Sequence, residues 1–104
     1  KNLGIRPMEM LLLGMGGCTT IDVMSMLKKM REEVRNCRVE ISAERSDEHP
    51  KVFTKIHLHF ILEGENLDEK KIAKAVSLSA EKYCSASIML GKTAVVTHDF
   101  ETHA

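Results

Sequence analysis

Two cysteines occupy settings that suit thiol chemistry. Cys18 closes the run Met10-Leu-Leu-Leu-Gly-Met-Gly-Gly-Cys18, and Cys84 lies in Glu81-Lys-Tyr-Cys84-Ser-Ala-Ser-Ile88. The thiolate is the reactive form, so each local environment is judged by how it treats negative charge. Cys84 falls just before an expected helix start, where unpaired backbone N–H groups favour an anion. Cys18 falls inside an expected helix, and Asp22 follows at i+4 on the same face. A carboxylate there opposes a thiolate, so Cys18 needs a cation. Arg6 lies twelve residues back, about 18 Å along a helix, which is too far. Lone cysteines also serve as small buried hydrophobes, the plain alternative for both. Cys37 opens an exposed-looking strand. His57 and His59 share one strand face and offer two metal ligands, with no third ligand placed by the sequence. His98 shares a face with Val96 and Phe100, which marks it as a partly buried histidine.

These residues sit in a chain of 104 residues, one domain with a modest core. Fifteen basic residues balance fifteen acidic ones, which gives no electrostatic footprint for nucleic acid or an anionic membrane surface. The four aromatics do not alternate with basic residues as a single-strand binding platform requires. Three cysteines without a close CxxC pair argue against both a secreted disulfide framework and a four-thiolate zinc site. A reducing cytoplasm is the expected compartment. Met10–Leu27 is long and apolar, but Asp22 and three glycines interrupt it, so it reads as a helix buried in protein rather than a membrane span.

Periodicity supplies the frame. Pro7 suits a first helical turn, and the helical pattern runs from Met8 to about Arg31 with apolar residues around most of the circumference. Gly14, Gly16 and Gly17 invite close approach of another backbone, with a partner helix expected. Residues 37–45 alternate, with Val39, Ile41 and Ala43 on one face. Residues 51–62 alternate with Val52, Ile56, Leu58, Phe60 and Leu62 inward. With the polar turn Ser46–Pro50 between them, they predict a hairpin. Asn66 and Glu69 resemble a capping box for a helix running to about Tyr83. A short helix follows over 85–90, ended by Gly91, and 94–101 reads as a strand. So apolar a first helix needs more cover than these elements provide, which predicts a second copy or additional chain.

Pro7-Met-Glu-Met-Leu-Leu-Leu-Gly-Met-Gly-Gly-Cys18, two strands, a helix and Glu81-Lys-Tyr-Cys84-Ser-Ala-Ser-Ile88 together resemble the OsmC/Ohr family of osmotically inducible and organic hydroperoxide resistance proteins, in its OsmC-like branch. The resemblance spans nearly the whole chain. It implies an α+β fold with a central buried helix on antiparallel strands, one domain over 1–104, an intertwined homodimer, and N-terminal strands that this chain lacks. It implies that Cys18 is a peroxidatic thiolate that reduces an organic hydroperoxide and that Cys84 resolves it. A dithiol reductant, a lipoylated protein in relatives, then restores both thiols. Leu11, Met15 and Met26 would line an apolar pocket. Relatives activate the cysteine with an arginine and a glutamate. The glutamate position falls on Met8. Glu9, nine residues before Cys18, is turned about 900° from it, onto the opposite side of a regular helix. No cofactor and no metal are expected for this function.

Three functions remain open on the sequence: a thiol peroxidase, a non-enzymatic dimeric ligand-binding protein of the same fold, and a metal-binding module built on Cys and His.

Overall fold

The computed structural model describes residues 6–104. The elements run α1 (Pro7–Lys29), β1 (Asn36–Arg45), β2 (Phe53–Glu63), α2 (Glu69–Leu78), a single π-helical turn (Ser79–Tyr83), α3 (Ser85–Leu90) and β3 (Val95–His103). The α+β architecture expected from the sequence is present. The helices cover one face of a three-stranded sheet of order β1-β2-β3.

β1 and β2 form the expected antiparallel hairpin, with Val39 opposite Phe60 and Ile41 opposite Leu58. β3 differs from the antiparallel expectation. It pairs parallel to β2, with Leu58 beside His98 and Phe60 beside Phe100. The reason is the connection: α2, the π-turn and α3 carry the chain over the sheet, and a crossover of that length delivers a parallel strand. A register shift at Glu44/Arg45 turns Phe53 inward and leaves Val52 outside β2 and partly exposed, against the inward position expected for it.

The core gathers Ile56, Leu58, Phe60 and Leu62 from β2, Met15, Val23 and Leu27 from α1, and Ile72, Ala75 and Val76 from α2. Full burial of each large aliphatic or aromatic side chain is worth about 1.5–3 kcal/mol. In α1 the buried residues Met15, Thr19, Val23 and Leu27 fall every fourth position as one stripe, and Gly16 is buried beside it. The rest of the apolar circumference is open: Met10 is 58%, Leu13 59% and Ile21 71% exposed. By length and composition α1 would also pass as a membrane span. Its buried stripe is packed on the rest of this fold.

Gly16 admits β1 and not a partner helix. A Cβ at Gly16 would lie 3.1 Å from Ile41 Cδ1 and 3.3 Å from Val39 Cγ1, whereas Gly14 and Gly17 face open space. α2 begins two residues later than the Asn66–Glu69 capping box predicts: Asp68 is the N-cap and accepts from Lys70 N at 2.9 Å, while Asn66 takes a left-handed turn conformation, φ 57°. The backbone N–H of Asp68 also donates to Glu32 Oε1 at 2.7 Å, which ties the start of α2 to the segment after α1.

Candidate functional site

Three elements converge on the thiols. Cys18 rides on α1, one residue before the buried Thr19. Cys84 stands between the π-turn and α3 as the N-cap of α3, and its own N–H donates to Ser79 O at 2.8 Å, closing the wide turn. The two segments are pinned by a buried hydroxyl pair, Thr19 Oγ1 and Ser79 Oγ, 2.7 Å apart. Behind the π-turn, Glu81 accepts from Ser77 Oγ at 2.9 Å and meets His98 Nε2 of β3 at 3.3 Å. His98 and Ser77 hold the Glu81 carboxyl below its usual range. His98 is half-buried, as its strand position predicts.

This framework brings together Cys18 Sγ, Cys84 Sγ and a carboxylate oxygen of Asp22, all within 4.8 Å of one another. None of the cysteines is in a disulfide. Cys84 is fully buried and Cys18 is half-buried. Cys84 Sγ accepts from Ser87 N at 3.4 Å, the N-terminal amide contact that its place before a helix predicts. That contact favours the thiolate, but burial outweighs it. Desolvation, followed by the hydrogen bond to Cys18, pushes the Cys84 thiol above its ordinary value. The Cys84 thiol thus favours its protonated form, with the Cys18 sulfur beside it and Met15 O as an acceptor at 4.0 Å. Asp22 Oδ2 is buried without a hydrogen-bond partner among the described residues. A buried polar atom left open beside two thiols is a costly arrangement in an inert core.

A cleft of about 640 Å³ reaches the same carboxylate. Asp22, Met26, Lys29, Lys74, Leu78 and Tyr83 are among its walls. Of the three residues expected to form an apolar pocket, only Met26 lines it. Met15 is sealed in the core and Leu11 is 45% exposed on another face of α1. Glu9 serves a different purpose: its Oε1 accepts from Arg6 N at 3.1 Å and caps α1. It also lines a separate groove of about 650 Å³ with Leu12, Leu13, Gly17 and Ile21, on the face of α1 away from the thiol cluster.

Cys37 does not join the site. It lies in β1, half-buried, and burial pushes its thiol up to about 11. His57 and His59 lie on the outer face of the sheet, also apart from the thiols, and there Asp99 joins them. Neither Asp99 nor the closeness of Asp22 to Cys84 was singled out in the sequence. Alternation of β3 could have placed Asp99 on a face with Thr97 and Glu101, but not beside His59, because that requires the parallel register.

Comparison with known proteins gives the family. The family described as OsmC-like protein matches residues 1–99. Protein YhfA of Escherichia coli (strain K12) is 50% identical over 98 residues, which cover 94% of this chain and 73% of that protein. A hypothetical protein from Aquifex aeolicus VF5 superposes with a TM-score of 0.86 at 33% identity, covering 97% of this chain and 77% of that one. An organic hydroperoxide resistance protein OsmC from Legionella pneumophila shares the fold at a TM-score of 0.77 and 13% identity, over 97% of this chain and 72% of that one. A family match over nearly the whole length, a half-identical relative and a shared fold place this chain in the OsmC family.

Proposed function

We propose that this protein is a two-cysteine thiol peroxidase that reduces organic hydroperoxides, with Cys18 peroxidatic and Cys84 resolving. The observation that carries the reading is the pair of free sulfurs within 4.8 Å of each other, one half-buried and one sealed. Closing such a pair to the S–S bond length of about 2.05 Å requires the sulfurs to approach by less than about 3 Å.

Cys18 is the member a substrate can reach. Its thiolate attacks the terminal oxygen of ROOH, and the O–O bond breaks. The alkoxide leaves and takes a proton to become ROH, and Cys18 becomes a sulfenic acid. The Cys84 sulfur then attacks the Cys18 sulfur. The S–O bond breaks, hydroxide leaves with the Cys84 proton as water, and a disulfide forms. A dithiol reductant, of the lipoylated kind used by relatives, attacks that disulfide, carries away both oxidising equivalents and returns the two thiols, which suits a reducing cytoplasm. The cleft beside Asp22, walled by Met26, Leu78 and Tyr83, offers apolar surface for the R group.

The chain acts as a homodimer in this reading. What supports it is the open apolar face of α1, with Met10, Leu13 and Ile21 more than half exposed around the Glu9–Ile21 groove. Leu13→Asp is expected to shift the mass in solution toward the monomer; an unchanged mass at every concentration refutes the assignment of this face.

The peroxidase is tested by thiol counting under stoichiometric cumene hydroperoxide. Two thiols are expected to disappear together, with an intramolecular disulfide formed. Cys18→Ser abolishes the reaction and Cys84→Ser stops it at the sulfenic acid. Consumption no faster than that of free cysteine would sink the peroxidase. It would favour the second reading, a dimeric ligand-binding protein whose cleft beside Asp22 holds the ligand.

A further inference from the structure

We propose that His57, His59 and Asp99 form a binding site for one divalent transition-metal ion of the zinc class on the outer face of the sheet, remote from the thiols. The two histidines alternate on β2, and Asp99 of β3 stands directly beside His59 in the parallel register. Asp99 Oδ1 meets His57 Nε2 at 2.9 Å and His59 Nδ1 at 2.6 Å, so one oxygen faces two ring nitrogens. The three ligand atoms lie within 4.8 Å of one another. Ligands on a tetrahedral zinc ion sit roughly 3.3 Å apart, given metal–ligand distances near 2.0–2.2 Å. The side chains are 39%, 28% and 58% exposed, so all three ligands are open to an ion from solvent.

The other nitrogen of each ring has its own partner. His57 Nδ1 lies 2.6 Å from Thr97 Oγ1, and His59 Nε2 lies 2.6 Å from Glu101 Oε1. An outer partner on the non-ligating nitrogen fixes the ring orientation and makes the ligating nitrogen more basic, the arrangement metal-binding histidines use. For His59 this has a chemical consequence. If Nε2–H donates to Glu101, a neutral ring turns a lone pair at Nδ1 toward the Asp99 oxygen. Two lone pairs repel unless a proton or a metal ion lies between them. At the 2.6 Å separation of His59 Nδ1 and Asp99 Oδ1 a proton fits that place in the metal-free protein. A zinc ion replaces that proton, forming bonds to nitrogen and oxygen while the proton passes to solvent. Around the cluster, His103 Nε2 also pairs with Glu101, and Lys55 precedes His57 on the same face. Across β2, Glu40 stands opposite His59 and pairs with Arg38, and Glu44 stands opposite Lys55. The surroundings carry acidic groups enough to favour a dication.

The test is calorimetric titration with Zn2+, using the reduced chain with Cys18→Ser and Cys84→Ser so that the thiol cluster cannot compete. One ion per chain is expected, at a dissociation constant of about 10 µM or tighter. His57→Ala with His59→Ala abolishes it, Glu101→Ala weakens it roughly 10–100-fold, and Glu101→Gln restores part of that loss. Binding releases a proton, seen as a dependence of the measured heat on buffer, and weakens as pH falls. Absence of saturable uptake up to about 1 mM Zn2+, or equal uptake with and without the two histidines, overturns the proposal. The unsubstituted reduced chain gives the same decision should serine at Cys84 loosen the core: there, loss of both histidines must remove one bound equivalent.

Discussion

The thiol pair is held by a hydroxyl pair, and that coupling has a measurable energy. Thr19 Oγ1 and Ser79 Oγ are 2.7 Å apart and both residues are fully buried. Thr19→Val keeps the side-chain shape and removes the hydroxyl. Ser79 Oγ is left with a long contact to Thr19 O at 3.4 Å, so it is partly and not wholly orphaned. An unsatisfied buried hydroxyl costs about 1–3 kcal/mol, and the residual contact places this substitution at roughly 1–2 kcal/mol. Ser79→Ala leaves Thr19 Oγ1 the carbonyl one turn back in α1 as an alternative acceptor, which places it in the same range. At this chain size each kcal/mol lowers Tm by about 4–8 °C. The double variant removes donor and acceptor together, so it is expected to cost clearly less than the sum. Urea denaturation of the four proteins gives the coupling energy, expected at about 1 kcal/mol or more. Additivity within about 0.5 kcal/mol would refute the claim that this pair joins α1 to the π-turn. The cycle has a chemical readout as well. Under the proposed peroxidase, either single variant loosens the Cys18–Cys84 spacing and slows disulfide closure after oxidation.

Two further predictions follow from the sheet and its connections. The histidine–carboxylate ladder makes stability depend on pH with a defined sign. His59 is raised above 6.5, so its contribution is complete below that value and is lost as pH rises through the folded value. Asp99 is lowered from 3.8 and Glu101 from 4.5, so theirs is present above those values and is lost as pH falls through the lower folded ones. The ladder therefore stabilises most between about pH 4.5 and 6.5. In metal-free buffer His59→Gln should lower Tm more near pH 5.5 than near pH 9, and an equal loss at both refutes the pairing. Gly64→Ala places a Cβ 2.5 Å from Glu33 O, a backbone atom that cannot swing aside. The expected cost is about 1–3 kcal/mol in urea denaturation, and an unchanged midpoint would contradict that contact.

Much of the fold was legible because it rests on period. The apolar spacing of α1, the alternation of β2 and the Asn66–Glu69 start signal ahead of α2 each declare an element locally, although the cap itself proved to be Asp68. Strand direction was not legible, since nothing in Val95–His103 says whether it runs with or against β2; the length of the crossover decides. The facing of Val52 failed for a related reason: one shifted residue at Glu44/Arg45 reverses the inward set at that end. At the site, both cysteines and Asp22 were visible as residue types at helical spacing. Their meeting depends on where the π-turn releases Cys84, which no local pattern encodes. Gly16 shows the same limit, since its small size was readable but its neighbour, β1, was not.

The direction of the Cys84 shift bears on how the pair divides its work. A helix N-terminus alone would make Cys84 the more acidic thiol and the first to react. Its amide contact from Ser87 is present, yet full burial and the neighbouring Cys18 sulfur prevail. Desolvation wins because a single long N–H···S contact at 3.4 Å returns less than solvation by water supplies to a thiolate. Cys84 thus favours its protonated form and is sealed from solvent. In the proposed cycle this asymmetry gives the reaction its order. The accessible sulfur meets the peroxide, and the protonated sulfur behind it supplies both the second nucleophile and the hydrogen that leaves as water.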